Sequence, residues 1–422
     1  MLQRVDLSEL ARLILEQTLA DCSIERAMAQ RVLLVEGEGN ARVLAFGESI
    51  IDLAHFKRVR IVAVGKAAPA MLKAVLPLLP TPLHCDLAGI VISHLRPTDL
   101  PKTFKFFAGG HPVPNANSFA GARAVLAMLE DLPETAPNLR DTLCLFLISG
   151  GASAMMELPI DPAITLEDTV LYHRALVNCG ATITEINCVR KHFSAVKGGR
   201  LAIAANRAEC LSLLVSDVPV GHPEIVASGP TLPDISTADE CRAILNRYSL
   251  FEHFPDSVRR FFASSELSET PKPESLTARA WILLDANDLA EAARQRAEQL
   301  GFHAVIDTTC GDLEYRAASA HLLDRLRVLR REHARVCLIS VGEAAVSLPR
   351  ISIDGGTADD RIGGRNQHLA LYAATLFQTS DEPIAFLSAG SELAELESAD
   401  DPDGASEPAI LVWSARSRAS RG

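Results

Sequence analysis

Short apolar runs, each closed by a turn and followed by an amphipathic stretch, constrain this chain more than any other feature. "VRIVAV" (59–64) leads into Gly-Lys and then a helix-patterned segment from Ala67 to about Leu79. "LAGIVIS" and "FKFFA" follow as further strand-like runs, and a helix is predicted from Asn117 to Leu132. "LCLFLIS" (143–149) delivers a Gly-Gly turn, and "CLSLLVSD" (210–217) ends on an acid. A strand that is apolar along its whole length has no face to turn to water, so both its faces must be covered. Alternation with helices supplies that cover. The fold class expected is α/β, built on a parallel sheet with helices on both sides. The opening helix, capped around Asp6 with Leu7, Leu10, Leu13 and Ile14 at helical spacing, fits the same scheme.

At 422 residues the chain exceeds what one core usually organises, so two domains are expected. The best boundary is "SSELSETPKPESLT" (264–277), where Ser, Thr, Glu and Pro crowd between two ordered patterns. Beyond it a new alternation runs through "AWILLD", a helix from about Asn287, "HAVI", a long helix near Leu313 to Arg331, and "VCLISVGE". This divides the chain into an N-terminal domain over 1–265 and a smaller C-terminal α/β domain over 276–391, with a ligand cleft expected between them. Residues 392–422 differ from both. Seven acids and no base fall between Glu392 and Glu407, and "WSARSRASRG" then turns basic and aperiodic, so this tail is expected to be disordered.

Charge and cysteine content exclude several classes. Fifty-three acids against 41 bases leave −12, which argues against nucleic acid as a partner. The nine cysteines form no C-x-x-C pair and sit mostly inside apolar runs, as buried reduced thiols would. No run is long enough to span a bilayer, and the first twenty residues carry charges through every turn, unlike a signal peptide. A cytoplasmic protein without a membrane partner is expected. A homodimer is compatible with all of this.

The candidate chemistry lies where predicted strands end, which is where open α/β sheets bind ligands. Lys66 follows Gly65 at the end of "VRIVAV", and could offer a point charge to a phosphate or carboxylate; a solvated turn lysine is the plain alternative. Gly150 and Gly151 would let backbone approach an anion, with Ser149 and Ser153 adding hydroxyl donors. In "INCVRKHFSAVKGGRL", Arg190, Lys191, Lys197 and Arg200 form a local basic cluster; read as one helix, Arg190 and Lys197 share a face. The cluster is either an anion trap or a solvated face. Asp217 ends a strand and suits Mg2+ ligation or general-base work, and Glu343 has the same placement in the second domain. Arg365 follows Gly363 and Gly364 at a helix start, where a guanidinium could clamp an anion with two hydrogen bonds. His111 sits between Gly-Gly and two prolines, as a substrate contact or a structural loop residue.

These segments, in this order, resemble the glycerate 2-kinase family, some members of which carry the name hydroxypyruvate reductase. The likeness runs from the first helix to about Ser391 and includes "VGKAAPAM", "GGHPVPNANSFAGARA", "LISGGASAMMELP", "EINCVRKHFSAVKGGRLA", "SDVP", "IVASGPTLPD" and "GGRNQ". It implies a Rossmann-like N-terminal domain and ATP- and Mg2+-dependent phosphorylation of D-glycerate to 2-phosphoglycerate. The family's catalytic lysine falls on Lys66 and its catalytic arginine on Arg365. On that reading Ser149, Gly150, Gly151, Ser153 and Lys197 hold nucleotide phosphates. Arg190, His111 and Glu343 contact substrate, and Asp217 serves the metal or takes the hydroxyl proton. Three departures stand out. "GEAA" replaces the family's Gly-Glu-Thr-Thr, the connector 347–367 is longer and more acidic, and a Gly-Thr-Asp-Gly-x-Asp-Gly-like loop expected after "FLSAG" is replaced by "SELAELES", as a reading-frame change after about Ser391 would produce. Two rival functions follow. One is an NAD(P)-dependent hydroxypyruvate reductase, for which the G-x-G-x-x-G fingerprint is missing; the other is an inactive ligand-binding remnant.

Overall fold

The structure, a computed structural model, describes residues 6–36, 42–47, 49–79, 85–134, 140–216, 222–264, 267–276, 279–310, 313–342, 365–379, 383–390 and 408–415. The chain divides into two compact units: Ile24–Leu284, and Met1–Ser23 together with Asp285–Gly422.

The larger unit opens with the helix Ile24–Arg31, followed by an antiparallel meander of β1 (Val32–Glu36), β2 (Arg42–Phe46) and β3 (Ser49–Asp52). Six parallel strands follow: β4 (Arg58–Val64), β5 (Asp86–Ser93), β6 (Phe104–Ala108), β7 (Thr142–Ile148), β8 (Glu209–Val215) and β9 (Arg279–Leu284). Their spatial order is β6-β5-β4-β7-β8-β9, the doubly wound order of dinucleotide-binding folds.

The two-residue period of the strands sorts the apolar runs between two cores. Val59, Ile61 and Ala63 of β4 and Leu143, Leu145 and Leu147 of β7 pack with Ala68, Met71, Leu72 and Val75 of the helix Ala68–Val75. Val62, Val64, Cys144, Phe146 and Ile148 point the other way, onto Ala122, Val125 and Leu129 of the helix Ala116–Glu130. Each such leucine or isoleucine, once buried, contributes about 1.5–3 kcal/mol, so neither face can be left open. A third cluster stands apart from the sheet. In it Tyr172 stacks on Phe193 at 4.0 Å, with Phe254 and Phe262 beside them, tying the helices Leu166–Val177, Ile183–Phe193 and Asp256–Ala263 together. The described cysteines are all free thiols, and five of them are buried.

Among the described residues the smaller unit has four strands, β10 (His303–Asp307), β11 (Arg335–Val341), β12 (Ile384–Gly390) and β13 (Pro408–Ala415), in the order β10-β11-β13-β12. β10 and β11 run parallel, and β13 is antiparallel to both its neighbours. The N-terminal helix Leu7–Asp21 belongs here: Ala11, Ile14 and Leu15 pack on Ala290, Ala293 and Ala297 of the helix Ala286–Gln299, and Arg296 Nε donates to Asp21 Oδ2 at 2.6 Å.

Three expectations are corrected. The strand "AWILLD", expected to open the second domain, is β9; it pairs with β8, with Leu213 opposite Trp281, and so completes the larger sheet. The first helix, expected in the N-terminal domain, joins the other unit because its alanine-rich partner helix lies there. The tail expected to be disordered contains β13, which joins β11 to β12. Its six consecutive residues "PAILVW" are a strand signal that the acidic stretch before it and the Arg/Ser stretch after it had masked. The remainder of 392–422 lies outside the described residues. Among the described residues no helix is long and apolar enough to cross a membrane.

Candidate active site

In a doubly wound sheet the connections leave in opposite directions on either side of one strand pair, and a crevice opens at the carboxyl ends there. Here that pair is β4 and β7. The residues leaving them are Gly65-Lys66 and Ser149-Gly150-Gly151. The two turns are knitted together: Ser149 N donates to the Val64 carbonyl at 3.0 Å, Lys66 N to the Gly150 carbonyl at 2.9 Å, and Ala67 N to Ser149 Oγ at 3.0 Å. Gly65 has φ +114°, and a Cβ there would stand 2.4 Å from Ser149 Oγ, so only glycine permits this closure.

Gly151, at φ +77°, is the floor of the arrangement. A Cβ on it would stand 3.1 Å from His111 Cδ2 and 3.2 Å from Lys66 Cγ. Lys66 and His111 therefore flank one bare Cα, although 45 positions separate them in the chain. His111 is exposed, and its loop is pinned from behind, where Gly110 N donates to Ser118 Oγ at 3.0 Å and Asn115 and Ser118 close the capping box of the helix Ala116–Glu130. Lys66, His111, Gly150 and Gly151 are thus brought together. Ser149 is not presented with them: it is 1% exposed, and its oxygen is taken by the Ala67 amide.

Ser153 lies two residues on, in the short helix Ala152–Met155, whose other members are buried. Its Oγ is 2.9 Å from Ser228 Oγ, and Ser228 Oγ in turn donates to Asn187 Oδ1 at 2.8 Å. Ser228 and the preceding Ala227 hold left-handed φ values of +60° and +54° without being glycine, a strain that the surrounding structure must enforce. Neither Asn187 nor Ser228 stood out in the sequence. The faint signal for Ser228 is its place before Gly-Pro in "ASGPT", a turn context.

The basic cluster resolves into separate parts. The helix ends at Phe193, so Lys197 does not share a helical face with Arg190. Lys197, expected at nucleotide phosphates, is 1% exposed; its Nζ donates to Glu157 Oε2 at 2.8 Å and to the Met156 carbonyl at 3.2 Å. His173 Nε2 lies 3.0 Å from the same carboxylate oxygen. Burial pushes the Glu157 pKa up, but Lys197 and His173 more than offset it and hold the carboxyl down at about 2. Burial dominates for His173 and lowers it to about 4, so the ring is neutral near neutrality. This correction has a simple cause: an ammonium with no solvent access and a carboxylate already on it has no charge to lend a ligand. Lys191 likewise pairs with Asp234 at 3.2 Å, and Arg200 Nη1 donates to the Lys191 carbonyl at 2.6 Å. Arg190 differs from all three. It is partly buried, and its Nε has no hydrogen-bond partner among the described residues.

Arg365 opens the helix Arg365–Thr375 of the smaller unit. Asp217, Glu343, Gly363 and Gly364 lie outside the described residues. Among the described residues no group of three or more His, Cys, Asp or Glu side chains is arranged to hold a metal. A concavity of about 570 Å³ is lined by Arg200, Glu269, Thr270 and Lys272, and its Lys272–Glu269 charges already satisfy each other at 2.8 Å.

Residues 10–263 match a family described as a domain of unknown function (DUF4147). A D-glycerate 2-kinase of Thermotoga maritima is 34% identical over 343 residues, covering 80% of this chain and 76% of that protein. The chain belongs to the glycerate 2-kinase family. Membership makes it a kinase. The likeness extends through the fold. A crystal structure of glycerate kinase from Thermotoga maritima superposes with a TM-score of 0.67 at 32% identity, over 91% of this chain and 83% of that one. A crystal structure of a Pyrococcus horikoshii protein does so with a TM-score of 0.69 at 25% identity, over 98% and 99%.

Proposed function

We propose that this chain phosphorylates D-glycerate at its 2-hydroxyl, using ATP and Mg2+, in the cytoplasm. The observation that carries the reading is Lys66 and His111 brought together over the bare Gly151 at the β4/β7 switch point. The absent Cβ lets both side chains close on the Gly151 backbone, which sets a lysine and a histidine beside the glycine turn. The residues fit a phosphate chemically, since a lysine supplies a point charge and two glycines leave the backbone approachable. When bound, Mg·ATP supplies the phosphoryl group and its own charge neutralisation.

The protein's part is positioning and charge stabilisation. Lys66 offsets negative charge on the transferring group, held in place by the Ser149–Ala67 and Lys66–Gly150 hydrogen bonds behind it. Arg365 is the second catalytic cation, and Asp217 serves the metal or takes the hydroxyl proton. Arg190 receives the carboxylate: an arginine whose Nε is buried without a partner is incomplete until an anion arrives. A nicotinamide-dependent reductase has less support. It needs a Gly-x-Gly-x-x-Gly turn after the first strand of such a sheet, and after β4 the chain reads Gly65-Lys66-Ala67-Ala68-Pro69-Ala70.

Phosphorus NMR of the product decides the reading. Full-length protein with D-glycerate, ATP and Mg2+ is expected to release ADP and form the 2-phosphate. A 3-phosphate, full activity in excess chelator, or nicotinamide oxidation with hydroxypyruvate would each overturn it.

A further inference from the structure

The Ser153–Ser228–Asn187 chain has a direction, and the direction decides what Ser153 can bind. Asn187 Nδ2 points at the Ile225 carbonyl at 3.5 Å, so turning the amide over would set oxygen against oxygen. That leaves Asn187 Oδ1 as the acceptor at 2.8 Å from Ser228 Oγ, and the single proton of Ser228 is committed to it. Ser228 Oγ can then only accept from Ser153 Oγ at 2.9 Å, which commits the single proton of Ser153 inward. What Ser153 turns outward is lone-pair density. Ser228 is fully buried and Asn187 nearly so, so water does not reset the order; Ser153 is the partly exposed end of the relay.

We propose that Ser153 is a hydrogen-bond acceptor for a hydroxyl of the hydroxy-acid substrate, with Ser228 and Asn187 as positioning residues that fix its polarity. This rests on the glycerate reading above and changes one assignment within it, since Ser153 was expected to donate to nucleotide phosphates. A phosphate or carboxylate oxygen carries no proton at neutral pH and would meet the Ser153 lone pairs with repulsion, whereas a substrate hydroxyl supplies the missing donor. Arg190 stands three residues beyond Asn187 on the same helix, with its Nε unpartnered. One helix thus carries a cation suited to a carboxylate and, through Ser228 and Ser153, an acceptor suited to a hydroxyl. A hydroxy acid presents that pair of groups.

Titration calorimetry on the full chain tests the assignment, because it reads binding without turnover. Ser153→Ala is expected to weaken D-glycerate roughly five- to tenfold while leaving a non-hydrolysable ATP analogue unaffected, and Ser153→Thr to recover most of the loss. One of two analogues, D-lactate without the 3-hydroxyl or 3-hydroxypropanoate without the 2-hydroxyl, is expected to bind wild type and Ser153→Ala equally. Ser228→Ala, which frees the Ser153 proton, is expected to weaken glycerate but not nucleotide. Unchanged glycerate affinity in Ser153→Ala overturns the proposal, and so does a loss confined to nucleotide or to Mg2+. If Ser228→Ala fails to fold, the Ala/Thr pair at position 153 still decides. Wild-type protein that binds glycerate but forms no ADP would sink the kinase reading alone, whereas no glycerate binding at all would sink both.

Discussion

Lys66 follows a glycine that only glycine can replace and fills no part of either core, so its removal separates chemistry from folding. Lys66→Ala is expected to lower kcat about 10²–10³-fold, the usual cost of one charge-stabilising group, with the melting temperature unchanged. An unchanged kcat in steady-state assays would make it a solvated turn residue. His173 carries a different prediction. Its pKa falls from 6.5 in the unfolded chain to about 4 when folded, mainly through burial. Between those values the unfolded state binds the extra proton, so stability is full above about pH 6.5 and is lost as pH falls toward 4. The loss is on the order of 3 kcal/mol. Melting curves of His173→Gln should be flatter than wild type across that window; an equal slope would place the titrating group elsewhere. Lys66 and the paired glycines were legible because a strand end followed by glycine is a local pattern. The fate of Lys197 was not. Its counter-charge Glu157 is forty residues away, and sequence spacing carries no sign of which lysine in a cluster will be sealed by a distant carboxylate.

The elements show why that pair is worth a stability measurement. Glu157 follows the short helix after the Gly-Gly turn, and Lys197 follows the helix Ile183–Phe193, so their contact joins the two segments that flank Ser153 and Asn187. Glu157→Gln is expected to destabilise by about 3–5 kcal/mol, because it strands a buried ammonium. The Glu157→Met/Lys197→Met double variant should recover much of the loss. If the double variant is as unstable as the sum of two single ones, the pair is not the unit that matters. The strands were the most legible elements, since β4, β7 and β8 are apolar on both faces and admit no other packing. β13 was overlooked because its neighbours in the chain differ from it so sharply. Its amides from Ile410 to Trp413 are expected to exchange slowly with deuterium, being paired on both sides. Exchange as fast as in a free peptide would remove β13 from the sheet.

At the scale of the whole molecule, the boundary read from composition was misplaced because loop chemistry marks where a chain is irregular, not which sheet the next strand will join. Residues 264–277 are irregular, yet β9 beyond them returns to the larger sheet. The first helix was legible as a helix, but its destination depended on an alanine face nearly 280 residues later. Deleting residues 1–23 is therefore expected to expose the alanine face of Ala286–Gln299 and lower the melting of the unit holding β10–β13. The transition of the larger unit should stay within a degree or two in calorimetry. A common downward shift of both transitions would contradict the division.

That division also imposes a schedule on biosynthesis. The helix Leu7–Asp21 emerges from the ribosome before the larger unit, but its partner residues Ala290, Ala293 and Ala297 are encoded after that entire unit, roughly 270–280 residues further on. At about 5–20 residues per second, the apolar stripe of that helix waits roughly 13–50 s for its cover. During that interval the larger unit can complete its own sheet while the apolar stripe of residues 7–21 stays uncovered.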